Sequence, residues 1–122
     1  MKVFIVDDSA IIVERLQSLL AEIEGLEFVG QAQSASDAIT SIMKLKPKVV
    51  ILDIRLAGGN GMSVLEKIKK KQPSPIVIMI TNYPYPQYRS KCKELGADYF
   101  FDKVTEIEKV VDLFEQLAMD KP

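Results

Sequence analysis

The 122-residue sequence predicts an α/β domain in which a doubly wound, five-stranded parallel sheet carries helices on both faces. Five short apolar or β-branched runs alternate along the chain with five segments whose apolar residues have helical spacing. Two of the runs, at residues 48–53 and 76–81, are almost continuously apolar, which is typical of parallel strands buried on both faces. Because alternating strands and helices form right-handed crossovers, we expect the strand order 2-1-3-4-5.

Hydrophobic spacing and helix-ending residues define the elements of the first half of the chain. Val13, Leu16 and Leu20 recur at helical spacing, and Gly25 is a residue type that commonly ends a helix. Pro47 ends the second helical segment because it lacks the backbone N–H that a helix interior needs. These signals predict, in order, a strand at residues 2–6, a helix at 9–24, a strand at 27–33, a helix at 36–46 and a strand at 48–53.

The second half of the chain carries equally clear end signals. Pro86 suits the first turn of a helix, and Gly96 ends that helix. The sequence "TEIE" has the pattern of a capping box, with Thr105 as N-cap and Glu108 at the third helical position. These signals predict a helix at 62–71, a strand at 76–81, a helix at 86–95, a strand at 98–103 and a last helix that begins after Thr105.

Composition excludes several classes of function. The 16 basic and 17 acidic residues nearly cancel, so we expect no direct binding to nucleic acid and none to a membrane surface. The chain has no histidine, which rules out Ser-His-Asp and Cys-His nucleophiles and the common zinc sites. A single cysteine, Cys92, cannot form an internal disulfide and suits a reducing compartment. We therefore expect a cytoplasmic domain.

Polar residues follow four of the five predicted strands. Asp7 and Asp8 follow the first strand, Asp53 ends the third, Thr81 the fourth and Lys103 the fifth. Since ligands of such sheets bind at the carboxyl ends of the strands, we expect these side chains to share one edge. Three clustered carboxylates repel one another unless a cation lies among them, and oxygen ligands of this kind suit Mg²⁺.

The whole chain resembles a response-regulator receiver domain, the flavodoxin-like phosphorylated partner of a sensor histidine kinase. The resemblance rests on the acidic pair "DD", on "VVILDI" around Asp53, on Gly61, on "MIT" ending at Thr81 and on "GADYFFDK" with Lys103. After the last predicted helix only "MDKP" remains, so we expect residues 1–122 to form a single receiver domain with no output domain in this chain.

The resemblance implies a role for each site residue. Asp53 would be the nucleophile that accepts a phosphoryl group, and Lys103 and Thr81 would contact that group. A bound Mg²⁺ (or Mn²⁺) would take as ligands Asp7, Asp8, Asp53 and the backbone carbonyl of Arg55. Thr81 and Phe100 would form the switch. The implied partners are a sensor histidine kinase or phosphotransfer protein and a downstream protein that reads the face of helix 4, strand 5 and helix 5, with a dimer that forms on phosphorylation.

The resemblance also bears on the lifetime of the phosphorylated state. Arg55 and Tyr83 lie two residues after Asp53 and Thr81, where receiver domains have the side chains that flank the attacking water. Neither offers a carboxylate or an amide to orient that water, so we expect slow self-dephosphorylation. The protein would then be a signalling protein that catalyses its own phosphorylation and dephosphorylation, and not a metabolic enzyme.

Other interpretations remain open at this point. A haloacid-dehalogenase-like phosphatase would need an acid two residues after its nucleophile, and that offset from Asp8 is Ala10. A flavodoxin-like binding module would need a phosphate-binding loop where this chain has acidic "DDSAII". Locally, Asp8 or Ser9 could simply cap the first helix, and Phe100 could be plain core. The group Tyr83, Tyr85 and Tyr88 could be loop packing, although a partner surface is favoured.

Overall fold

The computed structural model describes residues 1–120 and confirms the predicted α/β architecture. The strands are β1 (Lys2–Val6), β2 (Glu27–Ala32), β3 (Val49–Leu52), β4 (Arg55–Leu56), β5 (Gly59–Asn60), β6 (Ile76–Thr81) and β7 (Tyr99–Asp102). The helices are α1 (Ala10–Leu20), α2 (Ala35–Leu45), α3 (Gly61–Lys69), α4 (Pro86–Glu94) and α5 (Ile107–Met119). None of the helices in these 120 residues is both long and apolar enough to cross a bilayer.

Five of the strands form one parallel sheet in the order β2-β1-β3-β6-β7. This is the predicted order 2-1-3-4-5 when the five long strands are counted alone. The two-residue strands β4 and β5 pair with each other in an antiparallel hairpin that the sequence did not predict. At the turn of this hairpin Gly58 has φ +66°, a conformation that side chains other than glycine's rarely adopt.

The sheet separates two hydrophobic cores. Because successive residues of a strand point to opposite faces, Val50 and Leu52 pack with α2, α3 and α4, whereas Val49 and Ile51 pack with α1 and α5. Burial on both faces explains why β3 and β6 are continuously apolar.

Several predicted helix ends differ from the structure, and the end of α1 differs most. Helix α1 ends at Leu20, not near residue 24, and the two carboxylates that follow, Glu22 and Glu24, would face the negative end of the helix dipole.

The predicted capping box at α5 is wrong. The N-cap residue is Glu106, and its side chain does not cap the helix. Its carboxylate instead accepts a hydrogen bond from the backbone N–H of Asp102, at 2.9 Å. Thr105 lies in the turn before the helix, where its N–H donates to the Asp102 carboxylate.

Candidate functional site

The carboxyl ends of β1 and β3 bring three aspartates together. The backbone N–H of Asp53 donates to the carbonyl of Val6 at 3.0 Å, which fixes the two strand ends side by side. Carboxylate oxygens of Asp7, Asp8 and Asp53 lie within 4.8 Å of one another. Asp7 and Asp53 are buried, whereas Asp8 is exposed.

Lys103 joins the two buried aspartates. Its Nζ donates to Oδ2 of Asp7 at 2.7 Å and to Oδ2 of Asp53 at 2.8 Å. The residue is positioned at the end of β7 by a backbone hydrogen bond from its N–H to the carbonyl of Thr81, at 2.8 Å. Since a buried ion costs free energy unless it is paired, the ammonium and the two carboxylates stabilise one another.

Burial and pairing act in opposite directions on these groups. Burial raises the pKa of the Asp53 carboxyl above its ordinary value, although the contact with Lys103 opposes the rise. Burial alone would lower the pKa of Lys103, but hydrogen bonds and attraction from Asp53 and Asp7 outweigh it and raise that pKa. Lys103 therefore stays charged at neutral pH, and with ionised carboxylates the cluster carries a formal charge of −2.

The start of α3 holds the backbone of Asp53. Oδ1 of Asp53 accepts from the N–H of Ile54 at 2.7 Å, and the N–H of Gly61 donates to the carbonyl of Ile54 at 2.6 Å. A Cβ on Gly61 would overlap the carbonyl oxygen of Asp53 and lie 2.9 Å from its carbonyl carbon. Only glycine allows this close approach, so Gly61 contributes to the site through its lack of a side chain.

The N-cap of α1 is Ser9, not Asp8. The Ser9 hydroxyl accepts from the N–H of Ile12 at 3.3 Å, and the N–H of Ser9 donates to Oδ1 of Asp7 at 2.9 Å. Within residues 1–120, the hydrogen bonds and ion pairs of the structure leave the Asp8 carboxylate unengaged. The capping alternative therefore does not account for Asp8.

Thr81 and Arg55 both contact Tyr83. The buried Thr81 hydroxyl accepts from the N–H of Tyr83 at 3.0 Å. The guanidinium carbon of Arg55 lies 3.8 Å from the centroid of the Tyr83 ring, in a cation–π contact. The sequence placed Arg55 and Tyr83 at matching offsets from two strand ends but did not predict that they touch.

The family of the chain follows from comparison with known proteins. The family model described as "Response regulator receiver domain" matches residues 3–115. The chain belongs to the response regulator receiver domain family. A receiver domain is consistent with two-component signalling, and the family favours this class over the phosphatase and flavin-binding alternatives.

Two curated relatives of this receiver domain are a response regulator and a sensory transduction protein. The chain is 30% identical over 116 residues to the response regulator GacA of Pseudomonas aeruginosa, covering 95% of this chain and 54% of that protein. It is 31% identical over 121 residues to the sensory transduction protein LytT of Bacillus anthracis, covering 99% of this chain and 48% of LytT. The chain thus spans about half the length of these relatives.

Solved receiver domains share the fold over nearly the whole chain. The response regulator domain of CheB from Thermotoga maritima has a TM-score of 0.87 and 25% identity, covering 100% of this chain and 98% of that one. The structure of the CheX–CheY–BeF₃–Mg²⁺ complex from Borrelia burgdorferi has a TM-score of 0.86 and 26% identity, covering 96% and 88%. The flavodoxin-like fold predicted from the sequence is confirmed.

Phe100, the predicted switch aromatic of this receiver domain, is held by a residue that the sequence did not single out. Its side chain is half-buried against the core shared with α2, α3 and α4. The Arg89 guanidinium lies 4.6 Å from the Phe100 ring centroid and donates to the Phe100 carbonyl at 3.2 Å. Because Arg89 is on α4 and Phe100 on the edge strand β7, the contact ties the helix to the strand. Only a three-dimensional arrangement reveals this pair.

Proposed function

We propose that Asp53 accepts a phosphoryl group from a phosphohistidine of a sensor kinase or phosphotransfer protein, in a reaction that depends on Mg²⁺. The observation that carries the proposal is the arrangement of Lys103. Its ammonium bridges Asp7 and Asp53 at 2.7 and 2.8 Å, which leaves the third carboxylate, Asp8, open to solvent. Asp53 is a buried acid that contacts the Lys103 ammonium, and the cluster that contains both has a formal charge of −2. This arrangement suits an acceptor of a phosphoryl group.

The donor set fits a divalent cation. The three carboxylates and the Lys103 ammonium together carry a formal charge of −2, which matches one Mg²⁺ or Mn²⁺ ion. Both ions prefer oxygen ligands. Asp7, Asp8, Asp53 and the backbone carbonyl of Arg55 would hold the ion, which would neutralise phosphoryl oxygens. The similar CheX–CheY complex from Borrelia burgdorferi contains BeF₃ and Mg²⁺, which supports the same chemistry here.

The transfer step uses the residues of the cluster. A carboxylate oxygen of Asp53 attacks phosphorus, the new phosphorus–oxygen bond forms, and the phosphorus–nitrogen bond to the donor imidazole breaks with its electron pair left on nitrogen. The burial that raises the pKa of Asp53 also strengthens its carboxylate as a nucleophile. Lys103 then pairs with the phosphoryl group, and the Thr81 hydroxyl donates to it.

Two exposed apolar residues next to the site suit docking of the phosphodonor. Ile11, in the first turn of α1, is 77% exposed, and Val104, directly after Lys103, is 74% exposed. We propose that these two side chains contact the protein that donates the phosphoryl group.

Phosphorylation then changes the face formed by α4, β7 and α5 through Thr81 and Phe100, for a downstream protein target or a second receiver domain. We propose that this event takes place in the cytoplasm, where a reducing environment suits the free thiol of Cys92. We propose no direct contact of this domain with nucleic acid or membrane.

Intact mass measured after incubation with acetyl phosphate and Mg²⁺ tests the acceptor. Wild type should gain one phosphoryl group that hydroxylamine removes, as expected of an acyl phosphate, and Asp53→Asn should gain none. Asp112→Asn, which changes an exposed aspartate on α5, is the matched control and should label as wild type does. Undiminished labelling of Asp53→Asn, or a label resistant to hydroxylamine, would contradict the proposal.

Thermal unfolding in EDTA and in Mg²⁺ tests the ligand set. Removing one of three repelling carboxylates should make Asp8→Ala more stable than wild type in EDTA, by about 1 kcal/mol. Millimolar Mg²⁺ should stabilise wild type and do much less for the variant. A variant that melts lower in EDTA and responds fully to Mg²⁺ would show that Asp8 is not a ligand.

A further inference from the structure

Four side chains form a continuous row from the edge of the site to α4. The Arg55 guanidinium lies 3.8 Å from the Tyr83 ring centroid. The Tyr83 and Tyr85 centroids are 6.2 Å apart, and those of Tyr85 and Tyr88 are 5.5 Å apart, with tilted rings in both pairs. We call Arg55, Tyr83, Tyr85 and Tyr88 the aromatic row.

Both ends of the aromatic row are anchored. At the site end, the N–H of Tyr83 donates to the Thr81 hydroxyl at 3.0 Å. At the other end, Tyr88 is half-buried against the core beneath α4, and its N–H donates to the carbonyl of Tyr85 at 3.0 Å. A change in Tyr83 therefore has a path of direct contacts to α4.

An acyl phosphate on Asp53 would compete for Arg55. The phosphoryl group would appear two residues before Arg55 in the chain, and guanidinium binds phosphate oxygens by charge-assisted hydrogen bonds that exceed its attraction to an aromatic ring. The Thr81 hydroxyl, which accepts from the N–H of Tyr83, would also donate its proton to the same group, which would change the position of that acceptor. Tyr83 would then lose or change two of its contacts in one event.

We propose that the aromatic row relays phosphorylation of Asp53 to α4, with Arg55 as the residue that detects the phosphoryl group. This inference rests on the proposed function of Asp53. It adds a second connection between site and α4, separate from that through Phe100, and it makes Tyr85 a positioning residue that acts only through its neighbours.

The tyrosine content of the chain allows a direct test. The sequence has four tyrosines, of which three belong to the aromatic row. The fourth, Tyr99, stacks on Phe101 in β7 with centroids 6.4 Å apart. NMR of protein with ¹³C-labelled tyrosine rings should give four sets of signals, followed on addition of BeF₃⁻ and Mg²⁺ as a phosphoryl stand-in. Fluorine NMR of the same sample reports how much BeF₃⁻ is bound.

In wild type, BeF₃⁻ should shift the signals of Tyr83, Tyr85 and Tyr88. In Arg55→Met, which removes the charge, all three shifts should fall at least twofold at equal occupancy. In Tyr85→Leu, which removes only the middle ring, the Tyr83 shift should persist and the Tyr88 shift should fall at least twofold.

The control is Tyr99→Leu, because it makes the same substitution at a tyrosine of similar exposure, 39% for Tyr99 and 46% for Tyr85. Tyr99→Leu should leave the shifts of the aromatic row unchanged. A second variant, Tyr85→Ala, also removes the middle ring of the row and replaces it with a smaller side chain. A full Tyr88 shift in both Tyr85 variants with bound BeF₃⁻ would overturn the relay while leaving the phosphoacceptor role intact. If fluorine NMR detects no bound BeF₃⁻ in wild type, the proposed function fails and the relay fails with it.

Discussion

Helices α3 and α4 each have nine residues, and each comes after a site residue in the chain, Asp53 before α3 and Thr81 before α4, but they are attached to the molecule differently. Helix α3 begins with a side-chain cap, in which Oδ1 of Asn60 accepts from the N–H of Met62 at 2.7 Å, and it buries Val64, Leu65 and Ile68. Helix α4 begins at Pro86 without a side-chain cap, and Cys92 is the one fully buried residue in it.

We call α3 and the strand ends on which it packs the frame, and we call α4 the responsive part. The N-terminus of α3 packs directly on the backbone of Asp53 and Ile54, so a movement of α3 would disturb the site itself. Helix α4 is held by one cysteine, by Tyr88 and by the Arg89 contact to Phe100, and its displacement breaks fewer favourable contacts. A change at the site should therefore be expressed in α4 while α3 stays fixed.

The largest expected effect is on the frame. Gly61→Ala introduces a Cβ that overlaps the carbonyl oxygen of Asp53, and we expect it to lower the free energy of unfolding by about 3 kcal/mol. Gln87→Ala, at an exposed position in the first turn of α4, is the matched control and should cost less than about 0.5 kcal/mol. Urea denaturation of both variants measures the difference. Equal stabilities would show that the start of α3 can move away from Asp53.

Hydrogen exchange compares the two helices within one sample. Because α3 buries three aliphatic side chains and α4 one cysteine, the free energy of local opening should be lower in α4 by about 2 kcal/mol, and its central amides should exchange about 30-fold faster. Val64→Ala should reduce the protection of α3 toward that of α4. Equal protection of the two helices in wild type would contradict the division into frame and responsive part.

The contact between Arg55 and Tyr83 joins the two regions, because Arg55 precedes α3 and Tyr83 precedes α4. If the side chains of Arg55 and Tyr83 each hinder the approach of water to the phosphoryl group, the double variant Arg55→Asn/Tyr83→Glu should lose that group about tenfold faster, or about 1.4 kcal/mol in barrier. Loss of mass over time after removal of the phosphodonor measures the rate. Tyr99→Glu, away from the aromatic row, should decay as wild type does. An equal or slower rate in the double variant would require another explanation for the lifetime.

The sequence predicted the sheet and its strand ends better than it predicted the contacts between loops. Continuous apolar runs and helical periodicity depend on burial alone, so strand order and the placing of Asp7, Asp53 and Lys103 at one edge follow from local pattern and topology. The contact of Arg55 with Tyr83 depends on side-chain directions in two separate loops, which no periodicity encodes.

One wrong prediction, the capping box at α5, had a signal in the sequence that points to the observed turn. The sequence made no prediction about which aspartate of the acidic pair is buried; Asp7 is buried and Asp8 is exposed. At α5, Thr105 competes with two nearby carboxylates, and Asp102 is an acceptor that commonly binds the N–H groups two and three residues ahead. That local turn displaces the start of α5 to Ile107.

The smallest expected effect concerns pH, since α3 begins at a neutral amide whereas α5 begins in a turn built from carboxylates. The N–H of Val104 donates to Oδ1 of Asp102 at 2.8 Å, and this bond lowers the pKa of Asp102 below its ordinary value of 3.8. The hydrogen bond from the N–H of Asp102 lowers the pKa of Glu106 below 4.5. A lowered pKa means that each bond stabilises the folded state above these ordinary values and is lost as pH falls through the folded-state pKa.

Amide proton NMR between pH 6 and about pH 2 should show this difference between the two helix starts. The Val104 amide signal should move upfield with a midpoint below 3.8, as its acceptor is protonated, while the Met62 amide, bound to Asn60, should not titrate. Asp102→Asn keeps an acceptor oxygen but removes the titration, so Val104 should become insensitive to pH in that variant. A Val104 midpoint at or above 3.8 would contradict the lowered pKa of Asp102. A Met62 signal that titrates together with that of Val104 would show that the start of α3 responds to acid as the turn before α5 does.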